Sequence, residues 1–205
     1  MTFKPHIKLF YLGLLVMAYM VCCLPFFPVF YLSPQRYRKT NARMVSRVSG
    51  ILLRVLGVTV HRNRTPVRLK PGCFIVSNHL SYIDVLILST LFPGCFVTSV
   101  EIRQTPFLGH ITALAGCLFV ERRSRRFLGR ETREIRSALQ NGLNVIVFPE
   151  GTSTNGDTVL RFKQPLFQAA LDAGKDILPV GICYETINHC PVTPQTGTWS
   201  SGMGT

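Results

Sequence analysis

The sequence predicts an α/β fold: a mostly parallel or mixed sheet flanked by helices, with an N-terminal membrane-associated helical segment. Three observations carry this. Short apolar runs alternate with helix-patterned segments from Cys73 to Ile182. A histidine and an aspartate, His79 and Asp84, sit between one such run and the helix that follows it. Ahead of both lies Leu9 to Leu32, a stretch without a charge. The chain of 205 residues is long enough for one α/β domain with a core and an N-terminal appendage. The expected division is a membrane-associated segment over residues 1–57, the α/β domain over 58–189, and an irregular or truncated tail over 190–205.

Taken in order, Leu9–Leu32 has the length to cross a bilayer at about 1.5 Å per residue. It is too long for a usual signal-peptide core and lacks a small-x-small cleavage site. Pro25 and Pro28 interrupt it, so it either crosses with a kink or dips in as a broken, re-entrant element. Arg36, Arg38, Lys39, Arg43 and Arg47 on the following side outnumber Lys4 and Lys8 before it. By the positive-inside rule the α/β domain would then lie on the cytoplasmic face, as at a bacterial inner membrane.

Asn41 to Leu56 sets Met44, Val45, Val48, Ile51, Leu52, Val55 and Leu56 at helical spacing, with Arg43, Arg47 and Arg54 largely on another face. Gly57 ends this basic amphipathic helix, able to lie on the membrane or cover the sheet, and Val58–His61 reads as a short strand. Cys73–Val76 is a buried strand. Ser81 with Asp84 is a capping signature that starts a helix carrying Val85, Leu86 and Leu88 inward. Gly94–Val100 is a second strand, Pro106–Ala115 a helix with proline in its first turn, and Cys117–Val120 a third strand. A helix over Phe127–Gln140, a strand over Asn144–Phe148, a polar loop from Pro149 to Gly156, a helix over Lys163–Ala173 and a strand over Ile177–Ile182 complete the alternation.

Apolar content of 47% and a mean hydropathy of +0.25 point to a membrane-associated protein. The charge of +13 is unevenly placed: no acidic residue precedes Asp84, whereas 12 Lys or Arg do. Such a half suits an anionic membrane surface. No zinc finger, basic zipper or single-strand-binding signature accompanies the charge, which argues against nucleic acid as a partner. Seven scattered cysteines show no metal-type spacing and read as small core hydrophobes in a reducing compartment. His6, His61, His110 and His189 lack ligand-type neighbours, so no metal site is expected.

His79 and Asp84, five positions apart across a strand-to-helix turn, can come within hydrogen-bond reach. The ring would then act as a base, with the carboxylate fixing its tautomer. Alternatively, His79 ties down the loop and Asp84 only caps the helix. In the wider pattern, Asn78-His79-Leu80-Ser81-Tyr82-Ile83-Asp84, the set Gly116, Phe119 and Arg122, Phe148-Pro149-Glu150-Gly151-Thr152, and Leu178-Pro179-Val180 follow one another at strand ends. In this order they resemble the four blocks of the glycerophospholipid acyltransferase family, of which the 1-acylglycerol-3-phosphate acyltransferases are the best known. The resemblance covers roughly Pro71 to Tyr184.

It implies transfer of a fatty acyl group from acyl-CoA or acyl carrier protein to the hydroxyl of a lysolipid, with no bound cofactor. It assigns His79 and Asp84 as the catalytic pair and Arg122 as a headgroup contact. Glu150, Gly151 and Thr152 match the acceptor-binding block, with Glu150 either binding the headgroup or organising its loop. Lys163 either stabilises a headgroup or caps its own helix, while Asn78, Ser81, Pro149 and Pro179 support. Arg123, Arg125 and Arg126 read as a basic rim. The oxyanion donors would be backbone amides around Gly151-Thr152 or in the loop after His79.

The chain departs from the pattern in three places. Glu121 stands where an aspartate is more usual, Arg161 where a proline is common, and Ser153 where the phosphatidic-acid-making members carry an arginine. The expected acceptor is 1-acylglycerol-3-phosphate or, given the uncharged Ser153, a lyso-ornithine-type aminolipid or another lysophospholipid. A non-catalytic membrane-surface protein keeping the fold is the reading from another class.

Overall fold

The computed structural model describes residues 5–23, 32–62, 70–121, 128–154, 156, 158–187 and 190–192. Its centre is a five-stranded parallel sheet in the order β3-β2-β4-β1-β5. The strands are β1 (Phe74–Ser77), β2 (Gly94–Ser99), β3 (Leu118–Val120), β4 (Asn144–Val147) and β5 (Ile177–Val180). β1 and β4 are neighbours in register, Ile75 opposite Ile146 and Val76 opposite Val147. Whatever follows these two strands therefore shares one edge of the sheet. Pro179 sits in β5, an edge strand, where a missing N–H does least harm.

Helices α1 (Pro5–Cys23), α2 (Pro34–Leu56), α3 (Tyr82–Leu91), α4 (Val100–Gln104), α5 (Leu108–Leu114), α6 (Leu128–Gln140) and α7 (Pro165–Ala173) surround it. Alternate residues of each strand point to opposite faces. Phe74, Val76, Val145 and Val147 pack with Ile135, Ala138 and Leu139 of α6 and Ala169 and Ala170 of α7. Ile75, Phe96 and Ile146 pack with Leu88 of α3. With both faces of the central strands covered, β1, β2 and β4 are largely apolar, as parallel sheets require. A two-stranded hairpin, β6 (Thr186–Ile187) and β7 (Cys190–Pro191), follows the sheet.

Local chemistry accounts for most element ends. Pro34 and Pro165 occupy first-turn positions of α2 and α7, where the missing N–H has no partner to lose. Gly57 closes α2 in the left-handed conformation at φ 78°, its N–H reaching back to Arg54 and Leu53. The sequence reading began α2 at Asn41, but Pro34 starts it nearly two turns earlier. The expected strand Val58–His61 is irregular chain. The residues after β2 form α4, which the sequence reading missed because it continued β2 to Val100.

The membrane expectations are corrected. Among the described residues no helix is long and apolar enough to cross a membrane. Of the expected span Leu9–Leu32, α1 covers the part up to Cys23, and residues 24–31, with the expected interruptions at Pro25 and Pro28, lie outside the described residues. The apolar residues of α1 are divided. Tyr19 and Cys23 are buried, in contact with Asn41 of α2, whereas Phe10, Leu14, Met17 and Val21 stay exposed. The N-terminal helices α1 and α2 build a wall of the α/β domain, so they are not the separate membrane-associated segment expected. The transmembrane helix is withdrawn, and with it the location on the cytoplasmic side of a bacterial inner membrane, which rested on the charges flanking that span.

Candidate active site

The chain leaves β1 at Ser77 and enters α3 at Tyr82, and the short loop between them is built around one carboxylate. Asp84 is fully buried. Its Oδ2 accepts from the Leu80 and Ser81 backbone N–H groups, at 2.5 and 2.8 Å, and from His79 Nδ1 at 3.0 Å. Its Oδ1 accepts from the Tyr184 hydroxyl at 2.5 Å. Ser81 is the N-cap of α3, its hydroxyl accepting from Ile83 N–H at 3.1 Å, which completes a reciprocal capping box with Asp84. One residue thus caps the helix and hydrogen-bonds the histidine.

Four donors on one carboxylate leave it no proton to place, so Asp84 is an acceptor throughout. The His79 hydrogen accordingly sits on Nδ1, and Nε2 presents a lone pair. The ring stacks on Phe148, the first residue after β4, with centroids 4.0 Å apart and planes at 14°. Its side chain is 19% exposed. That combination of a fixed tautomer, a fixed ring plane and an open Nε2 edge is what a general base needs.

Neighbouring segments lock this loop from both sides. Asn78 donates to the Ile182 carbonyl at 2.9 Å and accepts from the Ile182 N–H at 2.8 Å, clamping the chain that leaves β5. Thr154 N–H donates to the His79 carbonyl at 2.9 Å, which joins the loop after β4. In that loop Gly151 turns at φ 78°, and a Cβ on it would lie 2.6 Å from Lys163 Nζ. A glycine is needed there for both reasons. The Lys163 ammonium therefore rests on the Pro149-Glu150-Gly151 turn, while its backbone N–H donates to the Pro149 carbonyl at 2.9 Å.

His79, Gly151, Thr152 and Ser153 share a cavity of about 420 Å³ whose remaining wall is mostly apolar. Tyr82, Val85, Leu86 and Ser89 contribute one face of α3, so the cavity follows that helix for about 10 Å from the His79 loop. Val16 of α1 and Val45, Val48 and Leu52 of α2 close the side opposite the sheet. A site of this volume, apolar with a few convergent polar groups at the base, has the build of a small-molecule pocket.

Glu150 does not line that cavity. Its carboxylate is buried and Oε2 accepts from Leu160 N–H at 2.9 Å, which braces the loop across ten residues. Arg122 lies outside the described residues, as do Arg123, Arg125, Arg126 and His189. Two of the expected oxyanion donors are committed to Asp84, the Leu80 and Ser81 amides, and the Gly151 N–H donates to the Phe148 carbonyl at 3.1 Å. Burial pushes the Cys95 and Cys117 thiols up to about 12, consistent with core side chains and not with nucleophiles. Cys23 and Cys73 are buried as well, whereas Cys22, Cys183 and Cys190 are exposed.

The sequence reading missed three parts of the site. Tyr184 is an aromatic residue beyond a strand end with no motif to say that it meets the His-x4-Asp loop, and Phe148, though part of the third block, carried no sign that it stacks on the His79 ring. The α1 lining was assigned to a membrane span, and α2 to either the membrane surface or a cover for the sheet.

Compared with known families, residues 57–183 match the family model described as Acyltransferase. The chain belongs to the acyltransferase family. Over 146 residues it is 34% identical to the 1-acyl-sn-glycerol-3-phosphate acyltransferase of Neisseria gonorrhoeae, covering 71% of this chain and 57% of that protein. It is 32% identical over 184 residues to the lyso-ornithine lipid O-acyltransferase of Brucella abortus, covering 85% of this chain and 68% of the relative. The crystal structure of the 1-acyl-sn-glycerophosphate acyltransferase from Thermotoga maritima superposes with a TM-score of 0.53 at 24% identity, over 84% of this chain and 74% of that one. At that identity the likeness speaks to the acyltransferase fold alone. The match to the Neisseria enzyme spans little more than half of its length.

Proposed function

We propose that this acyltransferase-family chain moves a fatty acyl group from an acyl thioester, acyl-CoA or acyl carrier protein, to the free hydroxyl of a lysolipid. The observation that carries the reading is His79, anchored through Nδ1 to a buried carboxylate and lining a mostly apolar cavity. Nε2 takes the proton of the acceptor hydroxyl as its oxygen attacks the thioester carbonyl. Asp84 supports the imidazolium that forms. The tetrahedral intermediate collapses with loss of the C–S bond, and the departing sulfur takes the proton back from His79. The acceptor's oxygen does what a serine does in a hydrolase triad, so no acyl-enzyme is needed.

The cavity along α3 takes the acyl chain, its apolar wall giving binding without direction. With the Leu80, Ser81 and Gly151 amides engaged, the Thr152 amide is the donor of the expected set left for the oxyanion. Lys163, resting on the turn beside it, supplies positive charge near the acceptor headgroup. Arg122 takes the family's role of headgroup contact. Pro149 shapes the turn, and Glu150 organises its loop.

The acceptor most in keeping with the family blocks is 1-acylglycerol-3-phosphate, giving phosphatidic acid. Ser153, uncharged and lining the cavity, favours a second reading, a lyso-ornithine-type aminolipid. The test is acyl transfer from labelled acyl-CoA and acyl carrier protein to a panel of both lysolipids, with wild type and Ser153→Arg. Labelled diacyl product from either acceptor supports the function, and a shift of Ser153→Arg toward the phosphate acceptor supports the role of this position. Thioester hydrolysis without any lipid product refutes the transfer.

A further inference from the structure

The carboxylate that holds His79 has a partner from the far end of the domain. Tyr184 follows β5, where nothing in the four sequence blocks assigns a role. Its hydroxyl donates to Asp84 Oδ1 at 2.5 Å and lies 2.7 Å from Ser81 Oγ. The direction of each bond follows from counting hydrogens. A phenol has one, and the anionic carboxylate can only accept, so Tyr184 donates to Asp84 and Ser81 donates to Tyr184. Ser81 Oγ meanwhile accepts from Ile83 N–H, so every polar atom of the chain from Ser81 through Tyr184 to Asp84 is satisfied.

A carboxylate held only at Oδ2 could rotate about its Cβ–Cγ bond and carry the His79 contact with it. The bond at Oδ1 removes that freedom, since the three Oδ2 donors come from one side and Tyr184 from the other. Tyr184 itself is fixed through its backbone, because Ile182 two residues earlier is clamped at both N–H and C=O by Asn78. Burial, together with the adjoining Asp84 carboxylate, pushes the phenol well above its ordinary range, so it remains a donor at every working pH.

We propose that Tyr184 is a positioning residue for acyl transfer: its hydroxyl fixes the plane of Asp84, and through it the tautomer and aim of His79. The role rests on the reading of His79 as base. It predicts a loss that passes entirely through Asp84, which tying down the segment after β5 would not produce.

The test is a double-mutant cycle with Tyr184→Phe and Asp84→Asn, measured by acyl transfer and by the low-field proton resonance of His79 Nδ1–H. Tyr184→Phe should lower kcat by about tenfold with KM unchanged, the scale of one charge-assisted hydrogen bond lost in the transition state. In the Asp84→Asn background, where Tyr184 accepts a neutral hydrogen bond from the amide in place of donating a charge-assisted one, the same change should cost less than about twofold. The Nδ1–H resonance should shift in Tyr184→Phe, and by more than the same change shifts it in the Asp84→Asn protein, where only a neutral hydrogen bond to Tyr184 is lost. An equal loss in both backgrounds, or a wild-type resonance in Tyr184→Phe, overturns the proposal. Should no lysolipid be acylated, the functional reading fails, and the resonance still decides whether Tyr184 acts on the pair.

Discussion

Asp84→Asn separates the two duties of this residue. Asparagine has nearly the same shape, and its Oδ1 can occupy the Oδ2 position that takes His79 Nδ1, Leu80 N–H and Ser81 N–H. Its Nδ2 would then face the Tyr184 oxygen, which accepts once Tyr184 turns its hydrogen to Ser81 Oγ. The hydrogen bonds survive and the cap remains. The fold should therefore lose about 1 kcal/mol, or roughly 2–4 °C in Tm for a chain of this size. Catalysis loses the charge. With charge centres roughly 4 Å apart and an effective dielectric of about 20, a carboxylate stabilises an adjacent imidazolium by about 4 kcal/mol. That stabilisation exists only as His79 takes the proton, so kcat should fall by about 10³-fold with little change in KM. The assay is initial-rate acyl transfer from labelled acyl-CoA to 1-acylglycerol-3-phosphate, with far-UV circular dichroism to follow unfolding. Activity within tenfold of wild type in a folded Asp84→Asn protein would refute the role of the charge.

Two further predictions concern the cavity and the core. Val48→Phe places a ring into the wall that α2 contributes, and should lower kcat/KM for palmitoyl thioesters roughly tenfold more than for octanoyl ones; equal losses for both would show that the chain does not lie there. Cys95 and Cys117 hold their protons more tightly folded, up to about 12 against an ordinary 9.0, so their stabilisation is complete below about pH 9 and is lost as pH rises toward 12. The urea midpoint should fall between about pH 8 and about pH 11, less steeply in the protein with both cysteines changed to alanine, and parallel curves would contradict this.

Features set by neighbouring residues could be read from the chain. Ser81 and Asp84 are three positions apart, and the capping box they form requires only that spacing. The strands at Phe74, Gly94, Leu118, Asn144 and Ile177 were placed within a residue at their starts, since continuous apolar runs bounded by Gly, Asn and Pro mark buried parallel strands. The order β3-β2-β4-β1-β5 was not readable, although it is what brings Phe148 against His79. Hydropathy misled at Leu9–Leu32 because an apolar residue carries no sign of what will cover it. Val16 turned to the cavity and Met17 to the outside are alike in sequence. Tyr184 was missed for the same kind of reason, its partner lying a hundred residues away.

His79→Ala tests the account most directly, because it removes the imidazole and leaves the cap of α3, the Asn78 clamp and the cavity wall from α1 and α2 in place. Measured as single-turnover acyl transfer with acyl-CoA and lysolipid both saturating, the account predicts that product formation disappears while the circular dichroism spectrum is unchanged. Transfer at the wild-type rate by folded His79→Ala protein would contradict it.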